Sequence, residues 1–232
     1  MTGFPRYAIY FAAGSDSALC RFGAELLGYD AYTGDELPFP QQALHVATDW
    51  REVSADPRKY GFHATLKAPM ALSPGKTEAD LKAACAAFAA EARPHPVISP
   101  IVDSISGFIA VIPAAPVDAL PQLAADCVRE FDPFRAALTA EDRARRKPEK
   151  LSERQRDYLD RWGYPYVMEE FRFHMTLTGR LDAERRGPIL QMLRERFAAL
   201  KLDALTVDRI ALFKQDNAKA RFRIIGEWAL AR

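Results

Sequence analysis

Residues 60–69 read YGFHATLKAP and residues 171–180 read FRFHMTLTGR. Both contain Phe-His-x-Thr-Leu, more than a hundred residues apart. The chain has only four histidines and nine threonines among 232 residues, so chance is a poor account of two such matches. A duplicated element explains them better. Two imidazoles that titrate near neutrality can act as base and acid in one reaction. Splitting a phosphodiester needs both, one to activate water and one to protonate the leaving oxygen. The hydroxyls of Thr65 and Thr176 can donate to non-bridging phosphate oxygens, whose charge grows in the transition state. A metal site would be the competing use of His63 and His174. No carboxylate or third histidine keeps ligand spacing with both, so neither metal nor cofactor is expected.

Such residues need strands to aim them. Side chains on a strand alternate between faces. In the second copy Glu170, Arg172, His174, Thr176 and Thr178 share one face, opposed by Phe171, Phe173, Met175 and Leu177. In the first copy Gly61, His63, Thr65 and Lys67 oppose Phe62, Ala64, Leu66 and Ala68. One polar face alone would be the wet side of an antiparallel sheet. Two equivalent ones, facing inward about a pseudo-two-fold axis, would gather two imidazoles and at least two hydroxyls.

The surrounding pattern repeats as well. A strand candidate at 6–13 precedes a helix capped by Ser15 and stopped by Gly28. The stretch 29–40 reads as a loop, and the strand of His63 follows it. Thr77 with Asp80 opens a helix over 77–93. Residues 96–114 read as two strands turning at Ser106-Gly107. The second half gives a helix near 117–134, the strand of His174, a helix over 182–200 containing Pro188, and a hairpin turning near Asp216-Asn217. His63 to Ser106 and His174 to Asn217 both span 43 residues. The expected fold is α+β: one two-lobed domain over 1–232, with repeats at about 6–113 and 117–230. Antiparallel sheets would line a central cleft with helices outside.

Net charge is +1, from 32 basic and 31 acidic residues. That balance opposes a long groove for duplex nucleic acid, while a small phosphorylated substrate or an RNA end stays open. Cys20, Cys85 and Cys127 are odd in number and far apart, which reads as reduced buried thiols in a cytoplasmic protein. No signal peptide or membrane span is expected, and a monomer is.

The two motifs are similar to the paired His-x-Thr-x motifs of the 2H phosphoesterase superfamily. The stretch 145–181, together with YGFHATLKAP, resembles a bacterial branch described as a phosphonate-metabolism protein of unknown activity. The resemblance implies catalytic roles for His63 and His174, phosphate contacts from Thr65 and Thr176, and facing motifs across a cleft. It makes a small cyclic phosphate, such as a phosphoribosyl cyclic phosphate, the first substrate to consider. The alternatives are an RNA 2′,3′-cyclic end and a non-catalytic phosphometabolite pocket.

Further substrate-binding candidates are Lys67, Arg172 and Thr178 on the polar faces. Arg172 has a competing partner in Glu170. Tyr60, Tyr164 and Tyr166 could stack on a base or a ribose, or belong to the core. Seven cations lie between 143 and 156. They read either as a solvated helix face or as an arm over the cleft, with Arg145, Arg146 or Lys147 holding a second phosphate. Pro148 favours an irregular arm. His45 and His95 have no threonine two residues on and read as non-catalytic.

Overall fold

A computed structural model describes residues 3–232; Met1 and Thr2, the first two positions of the expected domain, lie outside the described residues. The first half holds β1 (Arg6–Phe11), α1 (Ala18–Leu27), α2 (Gln41–Val46), α3 (Trp50–Val53), α4 (Ala55–Arg58), β2 (Ala64–Ala71), α5 (Glu78–Ala90), β3 (Val97–Ile98) and β4 (Pro100–Ile105). The second holds β5 (Phe108–Pro113), α6 (Ala119–Phe131), α7 (Ala140–Arg145), α8 (Glu153–Trp162), β6 (Met175–Thr176), α9 (Ala183–Ala198), β7 (Leu205–Thr206), β8 (Arg209–Gln215) and β9 (Arg223–Ala229).

The fold is α+β with antiparallel sheets, but the two sheets expected around the cleft are one. Seven strands run in the order β4-β5-β6-β2-β1-β8-β9, and β3 pairs with β7 separately. The order reads alike outward from the β6–β2 seam: β6, β5, β4 on one side and β2, β1, β8 on the other. By this order β5 is the counterpart of β1 and β4 of β8, with β9 added at one edge. The turn at Ser106 (φ 51°) and Gly107 (φ 91°) closes the expected hairpin, β4 with β5, whose two strands fall in different halves of this mirrored order. The equal 43-residue spans follow, because each runs from a motif histidine to the end of an equivalent strand.

Helices α1, α5, α6 and α9 bury their apolar stripes on one face of the sheet, with Ile9, Phe11, Leu66, Val111 and Leu212. The other face carries a smaller cluster around Tyr10, Phe213 and Phe222. The motif phenylalanines and leucines belong to the helix side: Phe62, Leu66, Phe173 and Leu177 are all buried. Each contributes about 1.5–3 kcal/mol by leaving water. Phe62 lies so close over Gly23 of α1 that a Cβ there would sit 2.0 Å from its ring. A side chain at 23 would push the first motif out of place.

Local signals hold in part. Gly28 ends α1 in the left-handed region, and Thr77 with Asp80 forms a reciprocal capping box. The α1 cap is Ser17 and not Ser15, since Ser17 accepts from the Cys20 amide. Three short helices between 41 and 58 have no strong periodicity behind them and were missed. Cys85 and Cys127 are buried and Cys20 half-buried, all free thiols. Burial raises the Cys20 thiol to about 11 and Cys85 to about 12. Among the described residues, no helix is long and apolar enough to cross a membrane.

Candidate active site

The two motifs meet at the seam. β2 and β6 pair antiparallel with Ala64 opposite Met175, both fully buried toward the helices. One residue further in each direction, this register sets His63 beside Thr176 and Thr65 beside His174. The two histidines are thus diagonal neighbours on the same face, a relation that spaces Cβ atoms by roughly 7–8 Å. They are close enough for a charge on His174 to lower the pKa of His63.

Each ring is held the same way. Nδ1 of His63 lies 2.9 Å from the Gly61 carbonyl, and Nδ1 of His174 lies 2.7 Å from the Arg172 carbonyl. A carbonyl only accepts, so both Nδ1 atoms carry the proton and both Nε2 atoms are left for chemistry. Gly61 reaches this geometry at φ +76°, with its α-carbon packed against Ala31. Arg172 does the same without a left-handed backbone. Nε2 of His63 lies 3.2 Å from the Thr65 hydroxyl, which donates to it in the neutral ring.

The surroundings differ. The His63 ring stacks on Tyr10 of β1, with centroids 3.8 Å apart and planes 19° apart. At the corresponding place on β5, the residue opposite Thr176 is Ala110, as Tyr10 is opposite Thr65. Among the described residues, the aromatic ring beside His174 is that of Phe108, tilted at 5.5 Å. Burial lowers the His63 pKa to about 4, against the Gly61 carbonyl, which raises it. Burial also lowers His174 from its ordinary value, opposed by the Arg172 carbonyl.

A cavity of about 350 Å³ opens beside His174 and Thr65, walled by Phe108, Tyr164, Arg172 and Arg180. The 153–170 segment supplies one wall, through Gln155, Tyr164 and Tyr166. Glu170 accepts from Gln155 and leaves Arg172 to the cavity. Tyr60 stacks on Phe222, with its ring 6.1 Å from His63. Arg145 and Arg146 line a neighbouring cavity with Tyr60, and Arg146 lies over the Tyr164 ring at 4.9 Å. After them, Lys147 takes a left-handed φ of 50° ahead of Pro148, so the basic segment is two helices, α7 and α8, joined by a short irregular link.

Two polar-face candidates are not in the site. Strand β2 pairs Tyr10 with Thr65 and Ile9 with Lys67, leaving Leu66 as an extra residue. This bulge reverses the alternation, so Thr65 faces the cleft while Lys67 turns into the helix layer. There its ammonium donates to Asp132 at 2.7 Å and to the Val128 carbonyl. Thr178 is fully buried, accepting from the Ile109 amide and donating to the Gly179 carbonyl. The nine-residue strand expected over 170–178 is also shorter. Residues 168–170 form a 3₁₀ turn, and ladder pairing is limited to Met175–Thr176. Burial nonetheless alternates over 172–177, which is what the pattern reported.

Tyr10, Phe108 and Arg180 were not singled out in the sequence. Tyr10 sits in an apolar run that reads as buried strand, and nothing local marks it as a support for His63. One other tempting signal is empty: Gly75-Lys76-Thr77 follows a strand and opens a helix. Residue 70, where a phosphate-binding G-x-x-x-x-G-K-[ST] loop needs glycine, is Met, and the Thr77 hydroxyl is committed to Asp80. The full pattern occurs nowhere in the chain.

The chain is 38% identical over 221 residues to ribose 1,5-bisphosphate phosphokinase PhnN of Janthinobacterium sp. (strain Marseille), covering 88% of this chain and 47% of that protein. It is 31% identical over 224 residues to the protein of the same name in Laribacter hongkongensis (strain HLHK9), covering 94% and 50%. It therefore spans about half the length of the curated relatives it matches. Among solved structures it is similar to apo E. coli LigT, at 15% identity and a TM-score of 0.42, covering 99% of this chain and 100% of that one. Residues 65–223 match the family described as protein of unknown function (DUF1045), and the chain belongs to that family.

Proposed function

We propose that this chain is a phosphodiesterase that opens a small cyclic phosphate on a phosphorylated sugar, with His63 as base and His174 as acid and without a metal ion. The observation that carries the reading is the pair of diagonal imidazoles, each with Nδ1 tied to the carbonyl two residues before it and Nε2 left without a backbone partner, with His174 and Thr65 lining one cavity. His63, kept neutral by burial against Tyr10, takes a proton from water at Nε2 as the water oxygen bonds to phosphorus. The bond from phosphorus to the leaving oxygen breaks, and that oxygen takes the proton from Nε2 of imidazolium His174. The product is a monoester, and proton exchange with solvent resets both rings. Thr65 and Thr176 donate to the non-bridging oxygens, and Arg172 with Arg180 supports the anion.

The names of the relatives favour a phosphorylated sugar as substrate. Their phosphokinase activity is assigned in this reading to the half of those proteins outside the match, because residues 1–232 carry no nucleotide phosphate loop. The test is turnover of a panel of ribose and nucleoside cyclic phosphates in EDTA, with His63→Ala and His174→Ala as controls. Turnover that needs an added divalent ion, or that survives either substitution, overturns the proposal.

A further inference from the structure

Next to the histidine site lies a second cavity of about 580 Å³ whose chemistry is different. Arg6, Lys59, Arg145 and Arg146 contribute cations to its wall, and Tyr60 separates it from His63. The two spaces share a boundary along β2, where Ala68 faces one and Pro69 the other, and at Arg146, which covers Tyr164.

The positive charge there is not balanced. Arg135 at the rim is already held by both oxygens of Asp132. Asp142, the carboxylate that lines the cavity, is engaged by Arg145 and by the Thr139 hydroxyl. Arg6 donates to the neutral Gln215 amide oxygen and packs on Phe4 and Phe222. Among the described residues no ion pair involves Arg6, Lys59 or Arg146. Burial lowers the Arg6 pKa, and the Arg145 and Arg146 charges lower it further. Arg6, Lys59 and Arg146 gather like charge on one wall, and a phosphate dianion offers the oxygens their N–H groups need.

Position gives the substrate class. Tyr60 lines this cavity, and its ring lies 6.1 Å from that of His63. One residue thus stands between the two sites, which suits a substrate the size of a single sugar carrying a phosphate at each end better than an RNA body. Resting on the phosphodiesterase reading above, we propose that the Arg6–Arg145–Arg146 cavity holds a second, unreacted phosphate monoester. The substrate is then a monosaccharide-sized cyclic phosphate with a phosphate at its far carbon.

The experiment compares kcat/KM for a ribose cyclic phosphate and its 5-phosphorylated counterpart, in the wild type and in an Arg145→Ala/Arg146→Ala variant. Both arginines are exposed, so the fold tolerates the change. The wild type is expected to favour the 5-phosphorylated substrate, and the variant to lose about 10–100-fold of that preference, as expected for charge-assisted hydrogen bonds. Equal turnover of both substrates by the wild type, or an unchanged preference in the variant, overturns the subsite. Calorimetry with ribose 5-phosphate, read against ribose, gives an answer independent of turnover. If neither cyclic phosphate is split, the phosphodiesterase reading fails. Weaker ribose 5-phosphate binding by the variant still supports the subsite, and equal binding rejects it.

Discussion

Ala64 and Met175 stand opposite each other at the centre of the sheet, and both are fully buried. The motif histidines and threonines lie one residue to either side of them. His63 and Thr176 form one flank and Thr65 and His174 the other, so each histidine neighbours the threonine of the other motif.

If the two rings act as one unit, removing either disables both steps. His63→Ala and His174→Ala are each expected to lower kcat about 10²–10⁴-fold, and the double variant to be little worse than either single one. Steady-state kinetics on a confirmed cyclic phosphate checks this. Additive losses would show that the rings act in separate steps.

The pH dependence follows from the direction of both shifts. The base must be neutral, so kcat/KM falls as pH drops toward the His63 value of about 4. The acid must be protonated, so kcat/KM falls again as pH rises past the His174 value, which burial holds below 6.5. The bell for kcat/KM is therefore expected to peak on the acid side of 6.5. Bound phosphate anion favours the charged rings, so the kcat bell is expected at higher pH. A rate that climbs steadily to alkaline pH would contradict the assignment.

The same depression affects folding. Below the unfolded histidine value of about 6.5 the unfolded chain binds protons that folded His63 refuses. The stability contribution is complete above 6.5 and is lost as pH falls from there toward 4. His63→Gln is expected to flatten the dependence of the urea midpoint on pH within that window. An equally steep slope in the variant would place the titration elsewhere.

Tyr10 covers one face of the His63 ring. In Tyr10→Ala the His63 ring gains water, so the acid limb of the kcat/KM profile is expected to move up toward 6.5. Tyr10→Phe keeps the stacked face and is expected to leave the limb where it is. A shift of equal size in both variants would implicate the hydroxyl instead of the ring.

Lys67 separates structure from catalysis. Lys67→Met leaves Asp132 with Arg135 alone, and is expected to cost about 1–3 kcal/mol of stability while kcat/KM stays within about twofold. Urea denaturation and kinetics together test it. A large rate loss with unchanged stability would return Lys67 to the cleft.

The repeated Phe-His-x-Thr-Leu was enough to show which side of each motif is buried, because an extended chain places His and Thr on one face and Phe and Leu on the other. Gly28 and Thr77 marked helix ends through backbone chemistry that is local. Lys67 misled because a bulge depends on the partner strand, and no pattern within 60–69 announces that Leu66 is extra. Thr178 misled because alternation continues in sequence past the point where the ladder stops. Arg6 and Tyr10 were invisible as site residues since β1 reaches the cleft only through pairing with β2, more than fifty residues away.

The strand order mirrored about the seam has one more consequence. Two separate half-length chains related by a true dyad would give both imidazoles the same neighbours, and hence the same proton affinity. Only a chain that carries both halves covalently can place Tyr at position 10 and Ala at position 110. Covalent joining thus permits a difference that strict symmetry forbids: one ring covered by a stacked tyrosine, its twin without that cover.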